Sequence, residues 1–257
     1  TVVDPSVTNI AYITVAYTPE FRADPKYNAK SGSGETAIVK MDPLGHVSCI
    51  INTVPEGQGH ETVVSQIVAD ELTINPENIR VIAGIDTFTR FWSITTGTYS
   101  SRFASVGASA VAMAARRVKD KLFAIAAHEL EADVKDLERA EGAVRIKGTP
   151  ERKISIRRLA GTAHWNQGAL PEGMEPGIQG TYTYNFPTSQ APDEKDRVDS
   201  SATYGFIADL ACGEIDPQTG QVESRKYVTI HDCGKIINPK IVEGQVYGSF
   251  VHGLGGT

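Results

Sequence analysis

The sequence predicts an α+β protein built as two related halves, each of β-hairpins or mixed sheet packed with helices. Three observations carry this. Two β-rich runs, ETAIVKMDPLGHVSCIINTV at 35–54 and ATYGFIADLACGEIDPQTGQVESRKYVTIHD at 202–232, each fold back about an Asp-Pro bend. Each then leads to a Gly-Gln pair and an apolar, helix-compatible segment, GQGHETVVSQIVADEL at 57–72 and EGQVYGSFVHGLGG at 243–256; internal similarity of this kind points to two halves of one design. Between them an apolar stripe at three- and four-residue spacing marks a long helix. No linker cleanly divides the chain, so residues 1–257 are read as one domain portion with approximate halves 1–150 and 151–257.

In chain order, Tyr12, Thr14 and Ala16 alternate against Ile13, Val15 and Tyr17 as in a strand. KYNAKSGSGE at 26–35 is a loop. The first hairpin turns at Asp42-Pro43-Leu44-Gly45, where Pro at the second position and Gly at the fourth suit a type I turn. After the Gly-Gln-Gly turn, Val64, Ile67, Val68 and Leu72 fall at helical spacing, so a strand hands over to a helix. Asn75-Pro76-Glu77 stops that helix and ENIRVIAGI at 77–85 is a strand. A Ser/Thr/Gly-rich stretch at 86–110 precedes the long helix, whose stripe is Val111, Ala115, Val118, Leu122 and Ile125, with Arg116, Lys119 and Asp120 off it. Residues 142–158 read as a hairpin, and Ser155 as the cap of a short helix through Trp165. Residues 166–203, dense in Pro and Gly and carrying a charged DEKDR, read as an irregular surface excursion.

Composition narrows the function. With 257 residues, 40% of them apolar, the chain can bury a sizeable core. A net charge of −6 without a basic run argues against nucleic-acid or anionic-membrane surfaces. No apolar stretch reaches the length of a membrane span and the first residues lack a signal-peptide layout, so the reading is soluble and cytoplasmic. Cys49, Cys212 and Cys233 lie far apart with no CxxC, and each is expected to be a buried free thiol. The histidines form no HxxxH or HxH pair, so no metal ligand is assigned to this chain. Asp209, Glu214, Asp232 and Glu243 are not read as an acid/base pair: Asp216 belongs to a turn, Asp232 fixes a loop, and His231 is a satisfied histidine. Trp92 and Trp165 are read as packing residues.

The chemistry-bearing stretches are GQGH at 57–60, TGTYSSR at 96–102 and VEGQVYG at 242–248. Gly57 and Gly59 let the backbone approach a ligand, and the helix that follows begins with amide N–H groups lacking intrahelical partners, which suits anions and oxo groups. Gln58 both donates and accepts, and His60 supplies a proton or a hydrogen bond. Taken alone, such a turn is also what a ligand-free strand-to-helix connection looks like. Together, glycines, small hydroxyls and amides beside helix starts suit a large polar ligand bearing phosphate, held by backbone and neutral side chains. A Rossmann-type site is rejected because GQGHET does not complete GxGxxG and no strand–helix–strand unit with an acidic residue about twenty positions on is evident.

In order and spacing these three segments, the last within HDCGKIINPKIVEGQVYGSFVHGLG, resemble the molybdenum-binding large subunit of the xanthine dehydrogenase, aldehyde oxidase and carbon monoxide dehydrogenase family over most of residues 35–257. The resemblance implies a molybdopterin cofactor carrying molybdenum, in the cytosine dinucleotide form of bacterial members, with iron–sulfur clusters and FAD on partner subunits or domains and twofold pairing of the complex. It implies hydroxylation of an aldehyde, N-heterocycle or similar small substrate with oxygen from water. By the same resemblance Gln58 and Gly59 lie by the cofactor phosphate and the metal's apical face, and Ser101 and Arg102 contact pterin or phosphate. Tyr99 and Ser100 line the pocket, Gln245 hydrogen-bonds the pterin, and His60 either touches the cofactor or caps its helix. Family members often read GTYGSRS, so Ser100 and Phe103 stand where a glycine and a serine are usual. The family's catalytic glutamate, in a GxGE motif, is expected beyond Thr257, and its glycine-rich FGxK-like segment before Thr1, which makes this chain a middle portion of the subunit. The rival is a scaffold or assembly piece that keeps the fold without the cofactor.

Overall fold

The structure, a computed structural model, describes residues 34–84, 86, 98, 102–184, 194–195 and 205–256. Strand β1 (Glu35–Met41) and β2 (Val47–Ile51) form the expected hairpin. At its tip the Gly45 N–H donates to the Asp42 carbonyl (3.0 Å) and the Asp42 carboxylate accepts from the Leu44 N–H (2.9 Å). Gly45 itself sits at φ +88°, which a β-carbon would disfavour. Helix α1 (His60–Leu72) follows, stopped by a 3₁₀ turn at Pro76–Asn78 whose cap is the Asn75 side chain. Strand β3 (Ile79–Ala83) then returns parallel to β2.

This β2–α1–β3 unit is a strand–helix–strand crossover, the arrangement that the sequence reading did not find. The crossover sits in a mixed sheet, because β1 is antiparallel to β2 on one side and to β7 (Ile178–Tyr184) on the other. The sheet order is β3-β2-β1-β7. Strand β7 also corrects the reading of 166–203 as an irregular excursion. Ile178, Gly180 and Tyr182 alternate inward, and Thr183 meets Thr36 hydroxyl to hydroxyl at 2.8 Å.

One face of the sheet is covered by α1, over β2 and β3, and by α2 (Ala108–Leu130), over β1 and β7. The predicted stripe of Val111, Ala115, Val118, Leu122 and Ile125 is buried against Ala37, Val39, Met41, Val47, Cys49 and Ile51. Each large aliphatic side chain so buried contributes about 1.5–3 kcal/mol. Arg116 and Lys119, off the stripe, instead bind Glu71 of α1 at 2.8 and 3.1 Å and tie the two helices side by side.

Past α2 a meander of β4 (Leu137–Ala140), β5 (Ala143–Ile146) and β6 (Thr149–Ser155) contains the hairpin expected at 142–158. Ser155 accepts from the Arg158 N–H (3.2 Å) and starts α3 (Ile156–Trp165), as expected. Trp165, expected to pack, is 70% exposed at the end of α3; the inward face there belongs to Leu159, Ala160 and Ala163.

The second predicted hairpin is β8 (Phe206–Ile215) and β9 (Val222–Asp232), antiparallel with a bulge after Cys212. Asp216 closes its bend, accepting from the N–H groups of Gln218 and Thr219, with Gly220 at φ +74°. Asp232 fixes the next loop by accepting from the Gly234 N–H, and His231 is satisfied by Thr229 at 2.7 Å. Helix α4 (Pro239–Gly255) begins at Asn238, whose side chain accepts from the Ile241 N–H. Its Phe250 meets Tyr227 of β9, ring centroids 4.4 Å apart. Cys49 is a buried thiol, whereas Cys212 and Cys233 are exposed, against expectation, because this hairpin and its following loop are solvent-facing. Among the described residues no helix is long and apolar enough to cross a membrane.

Candidate functional site

The functional segments meet at the end of the sheet where β2 runs out. There the chain passes through Asn52 and Thr53, both buried, into a turn that Gly57 and Gly59 bend with φ of +103° and +74°. A side chain at Gly57 would meet nothing, so the turn is open on that side; one at Gly59 would strike Ile241 of α4. Gln58 is half-buried, with its amide oxygen accepting from the Glu56 N–H at 2.6 Å, which leaves the NH2 as a donor. Gly59 is the N-cap of α1 in a left-handed conformation, and no side chain caps the helix. The first-turn amides therefore present their N–H groups at the turn.

His60, the first helical residue, is 3% exposed and does not cap. Its ring stacks on Phe103 with centroids 3.8 Å apart and 18° between planes. Burial lowers its pKa, opposed by Glu61 and Glu56, so the imidazole is held neutral. Its Nδ1 is buried without a hydrogen-bond partner; Thr53 Oγ1 and Glu35 Oε1, also buried, face each other, and the hydroxyl helps to lower the carboxyl.

Phe103 opens a π turn, Phe103–Gly107, that leads into α2. A serine-to-phenylalanine departure at this position is accommodated by two neighbours: the ring lies flat on His60 and fills the space that a β-carbon on Gly107 would need. Preceding it, Arg102 is buried, with Nη1 donating to Glu35 Oε2 at 2.6 Å and Nη2 to the Gly34 carbonyl at 2.9 Å. Glu35 is fully buried as well; burial pushes its carboxyl above the usual range, a rise that Arg102 and Thr53 offset only in part. Tyr99, Ser100 and Ser101, like Trp92, lie outside the described residues. The residues on either side of the first three are anchored to the same region, Thr98 by donating to the Val54 carbonyl at 2.7 Å and Arg102 through Glu35.

The third segment arrives with α4. Asn238 donates to Gln66 of α1 at 3.0 Å, and Ile241 lies against Gly59. Gln245, exposed, follows one turn later on the same helical face as Ile241, about 6 Å along the axis. The structure thus brings Gln58, Gly59, His60, Arg102 and the face carrying Gln245 to one region. Sequence reasoning missed Glu35 and Thr53, whose only signal was a carboxylate and a hydroxyl at the ends of paired strands. No cluster of three or more His, Cys, Asp or Glu side chains that could hold a metal occurs among the described residues.

These features fit a large ligand with an oxygen- and nitrogen-rich edge. The orphaned buried Nδ1 of His60, an open glycine turn and uncapped helix amides are polar valences that a bound group would satisfy. Among the described residues, Arg102 is paired with Glu35, and the groups open to a ligand are backbone amides and neutral side chains.

Comparison with known proteins agrees. The sequence profile of the molybdopterin cofactor-binding domain matches residues 8–257. The chain is 37% identical over 221 residues to the nicotine 6-hydroxylase large subunit of Paenarthrobacter nicotinovorans, covering 86% of this chain and 25% of that protein. It is 36% identical to the carbon monoxide dehydrogenase large chain of Afipia carboxidovorans, covering 83% of this chain and 24% of that one. In fold it matches quinoline 2-oxidoreductase from Pseudomonas putida 86 with a TM-score of 0.72 and 29% identity, over 84% of this chain and 25% of that one. The chain spans about a quarter of the length of these relatives. A profile match over nearly the whole sequence shows that this chain belongs to the molybdopterin cofactor-binding domain family.

Proposed function

We propose that this chain forms part of the wall around a molybdenum–molybdopterin cofactor in the large subunit of a molybdenum hydroxylase. The observation that carries the reading is the meeting of the α1 turn, the start of α2 and the α4 face around the orphaned buried Nδ1 of His60. The cofactor, when bound, supplies the redox and oxygen-transfer chemistry; the protein supplies binding, orientation and electrostatics. Gln58, through its amide NH2, and the backbone at Gly59 approach the phosphate and metal end. His60, held neutral, offers a hydrogen bond through Nδ1. Tyr99 and Ser100 line the pocket, Ser101 meets pterin or phosphate, and Arg102 acts at the base of the same segment. Gln245 reaches the pterin from α4.

The substrate is an aldehyde, an N-heterocycle or a similar small molecule, hydroxylated with oxygen from water. Nicotine and quinoline, which name two of the relatives, are N-heterocycles and favour that class. The cytosine dinucleotide form of the cofactor, iron–sulfur and FAD-bearing partner subunits, a twofold complex and a cytoplasmic setting complete the proposal. The general base is assigned to a part of the large subunit outside these 257 residues. Of the carboxylates in this chain, Glu214 is paired with Arg225, Asp216 and Asp232 close turns, and Glu35 is paired with Arg102. Without that base the chain alone is not expected to turn over.

The test is elemental mass spectrometry and oxidised-pterin fluorescence on the full-length native complex, matured in its own host and purified without chelator. Molybdenum and pterin in equal amounts are expected. Their joint absence from well-folded, assembled protein would remove the assignments at Gln58, Ser101 and Gln245 and leave the scaffold reading.

A further inference from the structure

We propose that the buried Glu35–Arg102 ion pair is a positioning device that sets the two cofactor-facing helix starts, at α1 and α2, against each other. This rests on the function proposed above. Neither charge reaches solvent: Arg102 is 5% exposed and Glu35 0%. Removing two such charges from water is costly, and apolar replacements often serve stability as well or better, so stability alone does not account for the pair. Geometry does. The planar guanidinium divides its fork between Glu35 Oε2 and the Gly34 carbonyl, which fixes its direction as well as its place.

What that direction controls lies on both sides of Arg102. Arg102 itself ends the TGTYSSR segment, and immediately after it is Phe103, whose ring stacks on His60. On the sheet side, the β1–β2 register of Ala37 with Ile51, continued by two residues, sets Glu35 opposite Thr53 at the entry to the glycine turn. One carboxylate thereby indexes the entry to the α1 turn and, through Arg102, the His60–Phe103 stack. Glu35 is assigned no contact with the cofactor and acts through Arg102 and Thr53.

The test uses the full-length native complex carrying its own pterin. Its readout is the rate of pterin release in urea below the unfolding transition, followed by pterin fluorescence, with Tm measured in parallel. Glu35→Gln is expected to raise that rate by about tenfold or more, the scale typical for residues that orient metal and cofactor ligands. Val39→Ala, buried on the same strand but remote from the pair, is expected to lower Tm without raising release at an equal distance below its own Tm. Release from Glu35→Gln no faster than from Val39→Ala at matched distance overturns the proposal. Should Glu35→Gln fail to assemble, Arg102→Lys keeps the buried charge but loses the fork. Faster release from it supports the device, and wild-type release overturns it. Wild-type complex lacking pterin and molybdenum removes the parent function, whereas a loaded wild type with unaffected variants removes the positioning role alone.

Discussion

His60 couples the candidate site to pH. Burial holds its folded pKa below the unfolded value of about 6.5. As pH falls through that value, the unfolded chain takes up a proton that the folded chain refuses, so the stability present at pH 8 declines toward the folded pKa. In His60→Gln this loss is absent. The urea midpoint of the wild type should therefore fall, relative to the variant, between pH 8 and pH 5.5; a constant difference across that range would assign the titration elsewhere. The cysteines give a second residue-scale prediction. Cys49 has no exposed surface and burial pushes its thiol up to about 12, whereas Cys212 and Cys233 face solvent. A thiol reagent at pH 8 should label the latter two at once and Cys49 only on unfolding; mass spectrometry of the digested protein distinguishes the three. His60 was conspicuous in the sequence because it follows a glycine turn. Its burial was not legible, because that depends on Phe103, and nothing local in either segment announces the stack.

Glycine decides two contacts between elements. At Gly180 of β7 a β-carbon would run into the Ala114 carbonyl of α2 and crowd Arg117, so α2 lies directly on the strand backbone. Gly180→Ala must push helix and sheet apart, and a loss of about 3 kcal/mol in urea unfolding is expected, at the upper end for overpacking. A neutral result would mean that α2 does not press on β7. At Gly59 the clash would be with Ile241, at a position where φ is +74°. Gly59→Ala is expected to cost about 1–2 kcal/mol through strain alone. A double-mutant cycle with Ile241→Ala should recover part of the cost; strict additivity would mean that the two residues do not touch. The elements around these glycines were unequally legible. Both hairpins, α1, the α2 stripe and the Ser155 cap follow from local signals: turn residues, period and a hydroxyl before an apolar run. Strand β7 was hidden because GIQGTYTY, although alternating, emerges from a Pro/Gly-dense stretch and contributes a glycine where an inward apolar residue would have marked it. The parallel β2–β3 pairing was hidden for a related reason: each strand and the helix between them were visible, but pairing is a property of the assembled sheet.

At the scale of the whole molecule the chain divides by burial. The β3-β2-β1-β7 sheet under α1 and α2 supplies most of the core residues, and the β4–β6 meander with α3 extends that core. The β8–β9 hairpin supplies none: Phe206, Leu210 and Ile230 are 72%, 62% and 68% exposed. By register Phe206, Leu210, Val228 and Ile230 share one face, opposite the face on which Tyr227 meets α4. A two-stranded sheet with one face uncovered is marginal in water, since its backbone bonds are shielded by little apolar packing. In the chain produced alone, amide hydrogen exchange read by mass spectrometry should therefore be slow in β1, β2 and α2 and faster by orders of magnitude in β8 and β9. The relatives are about four times as long as this chain, and in a subunit of that length the same peptides would report directly on whether this face is covered. Protection of β8 and β9 that rises to the level of β1 would show that the apolar face is a folding interface. Protection unchanged between the two would show that the hairpin is held by its own ladder and by α4, and that the exposed face contributes nothing to the stability of the subunit.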